Sequence, residues 1–168
     1  MTTVAVNRDM MASDSRVSIA EKGFAYPATK VIKTNGMLVG ASGDGGDCTR
    51  FLEWAKKGFK EKDTPKWKTT NYSEDEIVGI ILKDDGIYLW TQGGPEPERV
   101  EADFFAIGSG GKAARLAMIL GHSPIEAVEL AWRVDDVFSG PPVQVLYLRK
   151  DRALPDDEKQ AQVVLPND

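Results

Sequence analysis

The sequence predicts a layered α+β domain with largely antiparallel sheets, and three observations carry that expectation. Short strand-like runs joined by tight turns fill the chain from Thr2 to Ala41. Helix-forming segments are few and segregated, one after a Gly-rich bend and two side by side much later. The order is therefore strands, one helix, strands, two helices and a final strand, which does not fit alternating βαβ units. At 168 residues the chain is long enough for one domain with a substantial core. That domain is expected over residues 2–150, with residues 151–168 a charged, Pro-containing tail.

Thr2–Val6 and Met10–Ala12 read as strands around the turn-prone Asn7-Arg8-Asp9. Ser15–Ala20 alternates, and Lys22–Tyr26 brings a glycine and aromatics before Pro27. Lys30–Lys33 and Met37–Ala41 form a hairpin pair across Thr34-Asn35-Gly36, because Asn-Gly supplies the positive φ of a tight turn. The bend Gly40–Gly46 leads into a helix with Asp47 as expected N-cap and an apolar face of Phe51, Trp54, Ala55 and Phe59. Glu61–Glu76 is polar, interrupted by Pro65, and reads as a surface connection that Trp67 and Tyr72 anchor or equip for contacts.

Strands return at Ile77–Leu82 and Ile87–Thr91 across Asp85-Gly86, then at Val100–Ile107. Lys112–Leu120 is an Ala-rich helix stopped by Gly121. The next helix announces itself by Ser123 as N-cap, Pro124 at its first position and Glu126 three residues on, a capping box. Its apolar face is expected to be Ala127, Leu130, Ala131 and Val134, and Val143–Leu148 forms the last strand.

Composition excludes several function classes. A net charge of -5 argues against a dedicated nucleic-acid binder, which needs a concentrated basic surface. No apolar run approaches the ~20 residues of a membrane span, and the first residues lack the basic and apolar regions of a signal peptide. The single cysteine, Cys48, rules out an internal disulfide and fits a reducing compartment, so a cytoplasmic location is expected. No Cys/His or carboxylate cluster has metal-ligand spacing, and Asp44 with Asp47 lacks the rest of a calcium loop. Gly108–Lys112 lacks the glycine spacing and trailing hydroxyl of a phosphate loop. Cys48 and His122 sit at helix boundaries, where structural roles are the ordinary ones.

Thr2 is the residue with the most chemical potential. With Met1 removed it would present a hydroxyl nucleophile and a free α-amine on one residue, and an amine with a pKa near ~8 can take the hydroxyl proton. With Met1 attached, the same nitrogen is an amide and cannot act as a base.

Five separated segments, in order, resemble the proteasome β-subunit and HslV-type peptidases, which are N-terminal-nucleophile (Ntn) hydrolases. Ala12-Ser13-Asp14-Ser15-Arg16 is similar to the family's A-A-D-S-R segment, and Lys30-Val31-Ile32 to the strand carrying its catalytic lysine. Leu38–Asp47 resembles the strand and Gly-rich turn of the oxyanion hole. Ile107-Gly108-Ser109-Gly110-Gly111 matches I-G-S-G-G, and Asp136-Val137-Phe138-Ser139-Gly140 is similar to D-x-x-S-G. The resemblance spans Thr2 to about Leu148 and implies an αββα four-layer sandwich, two sheets between helical layers.

It also implies a threonine endopeptidase in which Thr2 attacks the peptide carbonyl and its own amine moves the proton. Lys30 would favour the alkoxide and keep the amine neutral, with Asp14 holding Lys30 charged. Ser109, Asp136 and Ser139 would support the Thr2 amine and hydroxyl, and Arg16 would brace Asp136. Gly43 would supply the oxyanion N–H, while Ala28, Ile32, Ala41 and Gly45 would line the first specificity pocket.

Implied partners are further copies in a homo-oligomeric ring, an ATP-dependent unfoldase and unfolded polypeptide substrates; no cofactor is required. Asp44 departs from the family pattern, where a second small residue is common, so its carboxylate must point away from the oxyanion or pair with a cation. The segment between Glu61 and Glu76 leaves little of a second long helix. Two alternatives stand beside the peptidase: a catalytically silent structural homologue that keeps Met1, and a non-peptidase Ntn amidohydrolase.

Overall fold

The computed structural model describes residues 2–19, 24–68, 76–92, 94, 96–134 and 140–149. The first part of the chain runs β1 (Thr3–Asn7), β2 (Met10–Ser13), β3 (Arg16–Ile19), β4 (Phe24–Pro27), β5 (Val31–Thr34), β6 (Met37–Ser42) and α1 (Gly45–Lys56). After a single 3-10 turn at Glu61–Asp63 come β7 (Val78–Lys83), β8 (Gly86–Thr91), β9 (Glu98–Val100) and β10 (Phe104–Gly108). The helices α2 (Gly111–Ile119) and α3 (Pro124–Val134) and the strand β11 (Gln144–Tyr147) complete it.

Two antiparallel sheets form the middle of the molecule. One has the order β10-β1-β2-β11 and the other β5-β6-β7-β8-β9, while β3 and β4 pair apart from both. Strand alternation sends Val4, Val6 and Met11 to the space between the sheets, where they meet Leu38, Ile80, Leu82 and Ile87. The opposite face of β1 and β2 carries Ala5 and Ala12, which pack with Ala114, Ala117, Ala127 and Ala131 of α2 and α3. Small residues on both sides let those helices lie close to the sheet. On the far side of the second sheet, Val39, Ala41 and Ile81 pack beneath Phe51, Leu52 and Ala55 of α1. The layer order is helices, sheet, sheet, helix, the αββα arrangement expected.

Gly40 marks how tightly the two sheets meet. A Cβ there would lie 2.9 Å from a Val4 methyl carbon and 3.1 Å from the Met11 sulfur. Gly79 plays the matching part under α1, because the Phe51 ring lies directly over it and occupies the place of any Cβ. Trp54, Phe59 and Trp90 gather around that ring, and Trp67 joins through Trp54 and Trp90, its centroid 5.3 Å from that of Trp90. Trp67 is thus an anchor that pins the connection onto the α1 layer; Tyr72 lies outside the described residues. The Asn35-Gly36 turn forms as expected, with φ of 49° and 74°. So does the capping box, in which Ser123 N–H donates to Glu126 Oε2 at 2.8 Å and Glu126 N–H to Ser123 Oγ at 3.3 Å.

Four expectations need correction. The N-cap of α1 is Asp44, not Asp47: Asp44 Oδ1 accepts from Gly46 and Asp47 N–H. Asp47 is instead buried, where it accepts from Lys68 N–H at 2.9 Å and pairs with Arg50 at 2.7 Å. Phe59 belongs to the aromatic core but not to α1, which ends at Lys56. Val100–Ile107 is not one strand: β9 pairs with β8 in one sheet and β10 with β1 in the other, so the chain changes sheets at the polar Glu101–Asp103 break. Val134 is 78% exposed, because the buried face of α3 is Ile125, Ala127, Val128 and Ala131.

Candidate active site

Pairing of β1 with β10 puts Thr3 opposite Gly108, which leaves Thr2 beside the Gly108-Ser109 turn. Gly108 has a φ of 92°, and a Cβ there would collide with the Thr2 carbonyl. Gly110 is likewise pressed against the Thr3 side chain. These two glycines are therefore required by the close passage of the N-terminal segment, a reason that the motif alone does not disclose. Ser109 Oγ donates to the Thr2 carbonyl at 3.4 Å. Thr2 itself is buried.

Asp14 is the hub of the site. It follows β2 directly, and β2 pairs with β1 so that Val4 lies opposite Ser13. Asp14 Oδ1 accepts from Thr3 N–H at 2.8 Å. Its Oδ2 accepts from Lys30 Nζ at 2.9 Å, Arg16 N–H at 3.0 Å and Gly140 N–H at 3.4 Å. The Asp14 and Lys30 side chains are 0% and 6% exposed, so this is a buried ion pair. Burial pushes the Asp14 carboxyl above its ordinary value, opposed by the Lys30 charge and by the N–H groups of Thr3 and Arg16. Ser13 and Ser15 on either side have buried hydroxyls with no hydrogen-bond partner among the described residues. The carboxylate is thus oriented by backbone and lysine, not by its neighbours' hydroxyls.

Lys30 precedes β5, and its ammonium also donates to the Arg16 carbonyl at 2.5 Å. One carboxylate therefore connects a buried ammonium to the peptide unit that follows Thr2. The structure brings together Thr2, Asp14, Lys30 and Ser109 from four separate elements or turns.

Three solved structures share this arrangement of elements. The eukaryotic HslV of Trypanosoma brucei superposes with a TM-score of 0.64 at 22% identity, covering 86% of this chain and 98% of its own. Thiobacillus denitrificans BPH gives 0.62 at 19% identity, covering 89% and 100%. BPH in complex with epoxomicin gives 0.62 at 16% identity, covering 88% and 99%. The chain has the HslV fold. No protein-family model and no curated protein matches the sequence.

Within this HslV-fold chain, Gly43 follows β6 with a φ of 129° and stands between Ser42 and the first turn of α1. Asp44, the departure from the family pattern, turns its carboxylate into the helix terminus and pairs with Lys68 at 3.5 Å. Arg16 Nε donates to Ser18 Oγ at 3.2 Å, and its side chain lies against Gly140. Asp136 and Ser139 lie outside the described residues, as does Met1.

Among the four pocket residues, Ala41 is 1% exposed in the core under α1, so it offers a ligand almost no surface. Ile32 packs against the same core, Gly45 is exposed at the start of α1, and Ala28 is half-buried. The rival thiol pair has no support. Burial, with Asp44 nearby, pushes the Cys48 thiol up to about 12, while His122 faces Glu126 at 3.7 Å on another layer. No group of metal-ligating side chains occurs among the described residues, and none of their helices is long and apolar enough to cross a membrane. Sequence reasoning missed Gly140 N–H as an Asp14 donor and missed Gln144 entirely. The Ser-Gly motif gave a signal for the first; nothing local marks the second.

Proposed function

We propose that this protein is a threonine endopeptidase of the HslV and proteasome β-subunit type, acting after loss of Met1. The observation that carries the reading is the Asp14 carboxylate, which holds Thr3 N–H with one oxygen and the Lys30 ammonium with the other. In this reading Thr2 Oγ attacks the scissile carbonyl, and the Thr2 α-amine takes the hydroxyl proton and later gives it to the leaving amine. Lys30 stabilises the developing alkoxide and disfavours protonation of the amine. Gly43 N–H meets the oxyanion, a contact whose removal typically costs about 3 kcal/mol in such sites. Ser109, with Asp136 and Ser139, relays and orients protons at Thr2. The active form is a homo-oligomeric ring that receives unfolded polypeptide from an ATP-dependent unfoldase.

The test combines intact mass, N-terminal sequencing and peptide hydrolysis. Native protein should lack Met1 and gain one adduct at Thr2 from a threonine-directed covalent inhibitor. The BPH complex makes epoxomicin the first compound to try. Thr2→Ala should lose both the adduct and hydrolysis while assembling normally. Wild-type hydrolysis in Thr2→Ala would overturn the assignment, and a retained Met1 in the native assembly would favour the silent structural homologue.

A further inference from the structure

We infer that Gln144 is a positioning residue that sets where Lys30 stands, and this rests on the peptidase reading above. Gln144 belongs to β11, where it lies opposite Ser13, one residue before Asp14. Its side-chain carboxamide leaves that sheet and reaches the segment entering β5 in the other. There Oε1 accepts from Lys30 N–H at 3.0 Å, and Nε2 donates to the Ala28 carbonyl at 2.5 Å. A parallel strand grips a residue in the same way, through the carbonyl before it and the N–H after it. The Gln144 amide supplies one such rung around Thr29.

The rung matters because of where Lys30 sits. β5 is the edge of its sheet, and the inner side of Lys30 is already engaged, its carbonyl accepting from Ala41 N–H at 3.3 Å. Gln144 takes its N–H. The ammonium end of Lys30 is held by Asp14 and the Arg16 carbonyl, so root and tip are fixed by different elements. A second clasp from the same two strands lies further along, where Lys33 Nζ donates to the Tyr147 and Leu148 carbonyls. That clasp keeps β5 beside β11 but is three residues from the chemistry. Gln144 acts on the backbone of the lysine itself, beside the bond from Ala41. Misplacement of a catalytic group by an ångström is enough to lower a rate by up to about 100-fold.

The experiment uses the full-length protein with free Thr2 and two variants. Gln144→Met keeps the length of the side chain and removes both hydrogen bonds; Gln144→Glu keeps the acceptor for Lys30 N–H. In Gln144→Met, amide exchange at Lys30 should quicken by about 10-fold or more as local opening becomes easier. Its kcat should fall about 10-fold with KM within about twofold, since the loss is of orientation rather than of substrate binding. Gln144→Glu should keep the Lys30 amide protected and recover most of kcat. Unchanged kcat in Gln144→Met, or a loss that Gln144→Glu does not relieve, overturns the role. If the wild-type protein hydrolyses no peptide, the peptidase reading falls on its own. Lys30 exchange then still decides the clamp, and unchanged protection in Gln144→Met refutes it.

Discussion

Asp14 binds through both oxygens, and burial raises its pKa, so the carboxylate gives up its proton later in the folded protein than in the unfolded chain. The unfolded chain therefore loses its Asp14 proton first as pH rises above 3.8, and this group's contribution to stability declines until the raised folded value is passed. In the other direction, falling pH protonates Asp14 and dissolves its ion pair with Lys30 earlier than it would an exposed pair. The acid limb of kcat/KM should accordingly lie above the ordinary aspartate range, and Asp14→Asn should remove that limb together with most activity. A pH profile of both proteins checks it; an acid limb at the usual carboxylate position would contradict the raised value. At this scale the motif residues Asp14, Lys30 and Ser109 were legible because each sits in a short pattern. Gln144 was not, since it reaches the site from more than a hundred residues away and leaves no local signature, and Gly140 was marked only by the Ser-Gly pattern.

The first turn of α1 shows why a cap is harder to read than a helix. Asp44 and Asp47 both stand near the end of a Gly-rich stretch, and either could satisfy the orphan N–H groups. The distinction is tertiary: Asp47 is drawn inward by Lys68 N–H and Arg50, which leaves Asp44 for the cap. Asp44→Ala should therefore cost about 1 kcal/mol of stability by urea unfolding, while Asp47→Ala costs more because buried donors lose their partner. Equal losses would contradict the exchange of roles. The break between β9 and β10 is similar. Apolar residues run through Phe104–Ile107 and Val100 precedes them, but nothing short of the pairing partners shows that the chain leaves one sheet for the other.

Layering explains what periodicity could and could not say about the whole molecule. β2 and β6 are buried at every residue, because each lies in a sheet covered on both faces. Such strands lose the apolar-polar alternation that would reveal an inner and an outer side, so segment order pointed to an α+β domain while the four-layer stack came from resemblance. The stack also sets the tolerance at the sheet interface. Gly40→Ala would press a methyl group into Val4, Met11 and Val31, and should cost about 1–3 kcal/mol as the sheets part. Thermal unfolding would measure it, and an unchanged midpoint would show that the interface has slack.

The register of β1 has a temporal consequence. β1 is synthesised before the rest of its sheet, yet one of its two hydrogen-bonded neighbours is β10, and the groups around Asp14 include Gly140. A chain still on the ribosome carries Thr2 without the turn at Gly108-Ser109, and without the strand that steadies Lys30. Thr2 thus leaves the ribosome well before its surroundings, which close only once residues as far along as Gly140 have emerged. Delay is written into the order of the strands.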